Sequence, residues 1–329
     1  MIKNKKILIA GGGGFIGGHL VKKLMKYNDV ISVDIKPNRT WYQYFNKVKN
    51  FRLDLKDYKN CLKATKNVDF VFNMACNMGG MGFIENNKAE CMISVLINTN
   101  LLRASVKNKV SRYFFSSSAC AYNISKQRNN FIKGLKESDA YPANPENGYG
   151  WEKLFSERMC AHFKEDFRLE TRVARYHNIY GPNGTFDGGR EKAPAAICRK
   201  IALVKLGKSK KVDIWGDGKQ SRTFLYIDDC IKGTLKLFLS NYSEPVNIGS
   251  DEQVSINKMF RIIKEHAGLK KIDKRYLLNM PKGVRGRSSD NTLAKKVLNW
   301  EYEINLKKGL ALTYDWIYNQ IKNKRFQIT

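Results

Sequence analysis

Lys6-Ile7-Leu8-Ile9-Ala10-Gly11-Gly12-Gly13-Gly14-Phe15-Ile16-Gly17 decides the fold. The first five residues form an apolar run of strand length, and the glycines stop it at once. From His19 to Leu24 the apolar residues recur at helical spacing. A strand, a glycine turn and a helix in that order give Gly11-x-x-Gly14-x-x-Gly17 its meaning. Glycine lets the backbone approach a pyrophosphate, and the helix start offers free N–H groups and a positive dipole end. The unit predicts a dinucleotide site built from Gly11, Gly14, Phe15, Ile16 and Gly17. The same abrupt stop argues against a signal peptide, despite the basic start.

Working outward, a second apolar run ends in Asp34. A carboxylate there hydrogen-bonds the adenine ribose hydroxyls and repels a 2′-phosphate, which favours NAD over NADP, although Lys36 and Arg39 lie close. Asp54, after a third run at Phe51-Arg52-Leu53, either reaches the adenine edge or is a surface acid. Residues 68–75 read as a fourth buried strand, opening into a second glycine-rich loop at Cys76 to Gly82. A helical segment over 84–106 and a strand over 111–115 follow. The alternation predicts an α/β fold with a doubly wound parallel sheet, a Rossmann fold. The fifth strand delivers Ser116-Ser117-Ser118-Ala119-Cys120-Ala121-Tyr122. Three hydroxyls and a thiol thus crowd the sheet edge at which such folds bind ligands.

Residues 123–147 read as a loop, after which Tyr149-Gly150-Trp151-Glu152-Lys153 opens a long helix. Tyr149 and Lys153, four apart, share one face of it. Tyr122-x-x-x-Lys126 and Tyr318-x-x-x-Lys322 have the same spacing. Only Tyr149 begins a helix able to pack beside the strand carrying Ser118. A sixth strand over 169–176 ends in His177-Asn178-Ile179-Tyr180-Gly181-Pro182. Beyond it come a glycine-rich loop with Arg190, Glu191 and Lys192, a helix over 195–205, and a short strand over 212–215. Helices over 229–239 and 256–267 follow, the latter with Ser255 as N-cap. Gly283 to Arg287 offers two arginines, and an amphipathic helix spans 306–322. Residues 1–177, with a contribution from about 223–250, are expected to form the dinucleotide domain, and 178–329 mainly a smaller C-terminal α/β substrate domain.

Composition bounds the function. Of 329 residues 43% are hydrophobic and 12% aromatic, which suits a globular chain with an ample core. No apolar run approaches the ~20 residues of a membrane span. The seven cysteines are odd in number, widely spaced and free of any CxxC pair, as expected of reduced thiols in a cytoplasmic protein. The four histidines are scattered, so no metal site is expected. A net charge of +29 would suit nucleic acid, but the lysines are spread along the chain with no basic block. A solvated lysine-rich surface is the better reading, with neither nucleic acid nor a membrane as partner. A nucleotide-sensing or RNA-binding module is the competing class.

The glycine motif, Ser118, Tyr149-x-x-x-Lys153 and His177-Asn178-x-Tyr180-Gly181-Pro182 together resemble the extended short-chain dehydrogenase/reductase family. Gly216-Asp217-Gly218-x-Gln220-x-Arg222-x-Phe224 resembles its members acting on nucleotide sugars. Residues 77–84, 117–122, 188–200, 245–255 and 284–291 narrow the resemblance to the branch that epimerises GDP-mannose at C3 and C5. One departure is the asparagine-rich loop after Tyr122, where a proline-containing one is expected.

The resemblance implies transient oxidation at C4 with tightly bound NAD, which makes the hydrogens on C3 and C5 acidic. Tyr149 is then the base at the C4 hydroxyl, with Lys153 expected to lower its pKa from ~10. Ser118 holds the C4 oxygen, and Cys120 and Lys192 exchange protons on opposite faces of the ring. Gly79, Asn178, Glu191, Ala193, Lys200, Gln220, Ser221, Arg222 and Arg285 surround the GDP-sugar, and the family implies a homodimer. A 4,6-dehydratase of the family is expected to have Asp-Glu where Ala119-Cys120 stand. A 4-epimerase is expected to have threonine in place of Cys120 and no counterpart of Lys192.

Overall fold

The computed structural model describes residues 1–323. Its first half alternates strand and helix: β1 (Lys6–Ala10), α1 (Phe15–Leu24), β2 (Asp29–Asp34), β3 (Lys49–Arg52), α2 (Tyr58–Ala64) and β4 (Phe70–Asn73). Then come α3 (Met81–Asn86), α4 (Lys88–Met92), α5 (Val95–Lys107), β5 (Arg112–Ser118), α6 (Asn147–Phe167) and β6 (Glu170–Tyr176). The second half carries β7 (Ile179–Tyr180), α7 (Ala193–Lys205), β8 (Lys211–Trp215), β9 (Ser221–Arg222), β10 (Leu225–Tyr226) and α8 (Ile227–Leu239). It ends with β11 (Val246–Ile248), β12 (Val254–Ser255), α9 (Ile256–His266), β13 (Asp273–Leu277), β14 (Gly286–Arg287), α10 (Thr292–Leu298) and α11 (Leu306–Lys322).

Seven strands form one parallel sheet in the order β11-β6-β5-β4-β1-β2-β3. Both faces are covered at its centre, so β1, β2 and β4 are mainly apolar and buried without alternating, whereas the edge strand β3 (Lys49–Arg52) is polar and mostly exposed. Ile7 and Ile9 face one core with Phe72, Phe114 and Phe238 of α8, whereas Leu8 and Ala10 face the other with Leu101 of α5 and Tyr113. The Phe72 and Phe238 rings lie 4.3 Å apart. The seventh strand comes from residues 246–248, so the sheet closes with chain from beyond the sixth strand.

Two local expectations differ from the structure. The segment over 84–106 is three helices, because Asn87 leaves helical geometry at φ −133°, ψ 47° and the chain turns again after Met92. The fifth strand runs on through Ser118, its serines pairing with Ala174, Arg175 and Tyr176 of β6. Smaller pieces complete the fold: β9 lies between β12 and β14, and β13 pairs with β8. Among the described residues no helix is long and apolar enough to cross a membrane.

Candidate active site

A cavity of about 670 Å³ opens at the carboxyl edge of the sheet, running from Gly11, Gly14 and Gly17 past Asp34 and Asp54 to Ser118, Tyr149 and Lys192. The glycine turn is fitted to its place. Gly11 has φ +78°, and a Cβ there would lie 2.8 Å from the Met74 carbonyl carbon. A Cβ on Gly17 would strike the Gly11 carbonyl. Gly14 stands at the N-cap of α1 with no capping side chain and no acid in the first turn, which leaves the helix end open to an anion. Phe15 and Ile16 also line the cavity. Asp34 is buried at the end of β2 and accepts from the Lys36 amide at 3.0 Å. The Lys36 ammonium turns away to the Gly13 carbonyl at 3.1 Å. Asp54 accepts from the Lys56 amide at 2.9 Å and stays partly exposed on the rim.

The three serines at the end of β5 separate by partner. Ser116 Oγ donates to the Asn73 carbonyl at 2.9 Å, and Ser117 Oγ donates to the Glu157 carboxylate. Ser118 Oγ accepts from the Cys120 amide at 3.2 Å and faces the cavity. Cys120 follows in a tight 3-10 turn, Ala119–Ala121. Helix α6 sits flush on that turn: the Glu146 amide donates to the Cys120 carbonyl at 3.0 Å, and a Cβ on Gly150 would strike the same carbonyl.

On α6, Lys153 Nζ lies 5.5 Å from the Tyr149 ring centre and 4.7 Å from that of Phe115. It is fully buried without a hydrogen-bond partner among the described residues. The Glu152 carboxylate is 3.3 Å away. Burial opposes the Lys153 charge, but Cys76 and Glu152 outweigh it and hold the ammonium above its ordinary value. Burial also pushes the Tyr149 phenol well above its ordinary value, with Cys76, Cys120 and Glu152 adding to it and the Ser118 hydrogen bond opposing. The expected lowering by Lys153 is therefore outweighed in the protein alone, chiefly by burial of the phenol, with Cys76, Cys120 and Glu152 adding to it. The glycine cradle, the open start of α1 and the buried Lys153 ammonium, paired with Glu152, fit a dinucleotide whose phosphates α1 would receive.

Lys192 is the N-cap residue of α7. Burial pushes its amine below the ordinary value, while the neighbouring Cys120 and Cys76 act the other way. The Cys120 thiol is pushed up by burial, with Arg287 pulling it down and Glu146 pushing it up. Tyr149, Ser118, Cys120 and Lys192 are thus one cluster at the end of β5. Chemically, it offers a hydroxyl donor, a phenol, a thiol and an amine, all groups that can carry a proton to or from a bound molecule.

The remaining expected residues lie around the loops beyond the sheet. Gly79 packs on Phe83, and Asn178, at φ +46°, donates to the Thr223 carbonyl at 3.0 Å. Glu191 pairs with Arg199 at 3.1 Å, and Ala193 begins α7. Lys200 Nζ donates to the Asp213 carbonyl at 2.7 Å. Gln220 donates to the Trp215 carbonyl at 2.9 Å, leaving its buried Oε1 without a partner among the described residues. Ser221 Oγ donates to the Asn130 carbonyl. Arg222 is held by the Val284 carbonyl at 2.6 Å, and burial with the nearby Arg287 lowers its pKa to about 10. Arg285 points to Asp217 at 3.2 Å, a third exposed. Its neighbour Arg287, named in the sequence only as one of two arginines, is the one that reaches Cys120, at 3.3 Å. Glu146 and Gln127, which also touch Arg287, carry no local sequence signal.

The comparisons agree with this geometry. Residues 7–249 match the NAD dependent epimerase/dehydratase family. GDP-mannose 3,5-epimerase of Arabidopsis thaliana is 45% identical over 325 residues, spanning 98% of this chain and 85% of that protein. GDP-mannose 3,5-epimerase 1 of Oryza sativa subsp. indica is 46% identical over 98% of this chain and 84% of its own. Among solved structures, a UDP-glucose 4-epimerase with UDP-glucose from Thermotoga maritima superimposes with a TM-score of 0.86 at 26% identity, covering 96% of this chain and 99% of that one. A UDP-glucuronic acid 4-epimerase from Bacillus cereus, in complex with UDP-glucuronic acid and NAD, gives 0.81 at 25% identity, covering 95% and 99%. With a glycine-cradled cleft, a Ser118–Tyr149–Lys153 set and these relatives over nearly its whole length, the chain belongs to the NAD-dependent epimerase/dehydratase family and, within it, to the GDP-mannose 3,5-epimerases.

Proposed function

We propose that the protein inverts GDP-mannose at C3 and C5, giving GDP-L-galactose, with GDP-L-gulose formed where C5 alone inverts, and that Ser118, Cys120, Tyr149, Lys153 and Lys192 carry the chemistry. The observation that carries this reading is the grouping of Cys120 and Lys192, two proton-exchanging side chains, around the Ser118 and Tyr149 pair at one strand end. Gly11, Gly14, Phe15, Ile16, Gly17, Asp34, Asp54, Tyr149 and Lys153 would hold NAD, which when bound would supply reversible hydride acceptance at C4. Tyr149 Oη takes the proton of the C4 hydroxyl and later returns it, and the Lys153 ammonium stabilises the phenolate. Ser118 Oγ donates to the C4 oxygen. With C4 at the ketone level, the negative charge left by removing H3 or H5 spreads onto that oxygen, where the Ser118 hydroxyl stabilises it. Cys120 and Lys192 remove a proton from one face of the ring and deliver one to the other. Gly79, Asn178, Glu191, Ala193, Lys200, Gln220, Ser221, Arg222 and Arg285 hold the GDP-sugar.

Residues 1–177 with about 223–250 act as the dinucleotide domain, and the rest mainly binds the nucleotide sugar. The protein works as a homodimer in the cytoplasm. Exposed Met92, Leu96, Trp151 and Phe155 on the packed helices α4, α5 and α6 support the dimer, and seven free thiols support the compartment.

Incubation with GDP-mannose in deuterated water tests the reading. Deuterium at C3 and C5 of the recovered sugar is expected. Inversion at C4 without label at either carbon would place the enzyme with the 4-epimerases instead.

A further inference from the structure

We propose that Arg287 and Glu146 form a charge-setting pair for Cys120, the guanidinium stabilising the thiolate and the carboxylate limiting how far it does so. The proposal deepens the reading of Cys120 as an acid–base group and rests on it. Its basis is a buried arrangement of three side chains. Arg287 Nη1 donates to Cys120 Sγ at 3.3 Å, Nη2 donates to Glu146 Oε2 at 2.8 Å, and Nε donates to Gln127 Oε1 at 2.7 Å. The Arg287 and Glu146 side chains are only 4% and 6% exposed.

The backbone fixes this fork. Strand β14 pairs with β9 through Gly286 and Arg287, and the Thr223 amide donates to the Arg287 carbonyl at 3.1 Å. On the other side, the Glu146 amide is tied to the Cys120 carbonyl, so acid and thiol move together. A guanidinium cannot give up its proton in a protein. Its positive charge beside the sulfur is therefore permanent, and it favours the ionised thiol whenever Cys120 loses its proton.

Other groups also face the thiol: Ser118 on β5, Cys91 on α4, Arg222 on β9, Tyr149 on α6 and Lys192 at α7. Neither Arg222 nor Lys192 donates a hydrogen bond to it among the described residues; Arg287 is the cation that does. Burial raises the Glu146 carboxyl, but Arg287 overrides it and holds the group below its ordinary value, with Arg222 helping. Glu146 is thus ionised at neutral pH and cancels part of the guanidinium field at Cys120. Glu85, beyond it, is raised by burial and by Glu146 itself.

A pair that merely braced the 283–287 loop against α6 would affect folding when broken. A charge-setting pair predicts shifts of opposite sign from its two members. The test uses the full chain as purified with its dinucleotide. Iodoacetamide alkylates Cys120, forming an S–C bond with loss of iodide, and peptide mass spectrometry follows the rate from pH 6 to 10. Glu146→Gln, which keeps the size and an acceptor oxygen, is expected to react roughly three- to tenfold faster at pH 7. Arg287→Met is expected to react slower by a similar factor. A Glu146→Gln rate equal to or below wild type would overturn the proposal, and this variant decides the matter even where Arg287→Met does not fold. Deuterium exchange at C3 and C5 in Cys120→Ser is a separate readout. Its persistence would remove the acid–base role of Cys120 and leave the alkylation result standing.

Discussion

Lys153 Nζ and the carboxylate of its chain neighbour Glu152 stand 3.3 Å apart, each side chain only 1% exposed. Successive helix residues normally diverge by about 100°, so burying both requires protein on two sides, here β5 and the neighbouring helices. Glu152 Oε1 also accepts from Ser156 Oγ at 3.0 Å. The carboxylate balances the ammonium and adds to the upward push on Tyr149. Glu152→Gln removes that negative charge and so favours the phenolate. The acid limb of kcat/KM for GDP-mannose should move to lower pH, with a matching shift in phenolate absorbance. An unmoved limb would reduce Glu152 to a packing role.

Lys192 must release and regain a proton in the proposed reaction, and its lowered pKa suits that task. Lys192→Arg keeps the charge and nearly the length but cannot deprotonate. Exchange of deuterium into C3 and C5 should fall by about 10²- to 10⁴-fold, the usual contribution of a general acid–base group. Dinucleotide retention should be unchanged. Near-normal exchange in this variant would remove Lys192 from the proton-transfer step.

Asp34 is buried at the end of β2, and the nearest lysine, Lys36, is engaged with the Gly13 carbonyl. Wild-type protein is expected to retain NAD in preference to NADP. Asp34→Ser should narrow that preference by removing the charge that opposes a 2′-phosphate. Mass spectrometry of dinucleotide retained after exchange against an equimolar mixture reads the ratio directly.

Arg175 and Glu157 form a bidentate pair at 2.9 and 2.6 Å, with side chains 2% and 3% exposed. Glu157→Ala leaves a guanidinium buried and unpaired, which should lower stability by about 3–5 kcal/mol in urea titration. Glu146 gives a pH signature of its own. Its folded pKa lies below 4.5, so its contribution is complete above that pH and is lost as pH falls through the folded value. The gap in urea midpoint between wild type and Glu146→Gln should therefore close in acid.

Much of this arrangement could be read locally. Gly11, Gly14 and Gly17 reveal themselves because the demand on each is a backbone demand between a strand and a helix. Tyr149 and Lys153 follow from helical spacing once that helix is located. The length of β5 could not be read, since Ser116, Ser117 and Ser118 look like loop until their hydroxyls find partners on β4, α6 and the following turn. The break at Asn87 is likewise hidden in an apolar pattern that continues across it. Strand β13, almost wholly exposed and polar over Asp273–Leu277, shows no buried face to read. The Arg287 contacts are the extreme case, joining residues 141, 160 and 167 positions apart. Arg285 and Arg287 look alike in the chain, and only the β14–β9 pairing turns one inward.

The seat of Gly150 against the Cys120 carbonyl has a mechanical meaning. Tyr149 and Lys153 ride on one helix, Ser118 and Cys120 on one strand end, and there is no slack between the two bodies. In the proposed mechanism, neither the redox geometry nor the proton-exchange geometry could drift without carrying the other along. A side chain as small as a methyl group at position 150 would act as a wedge. It would prise both steps out of alignment at once, and slow inversion at C3 and C5 in equal proportion.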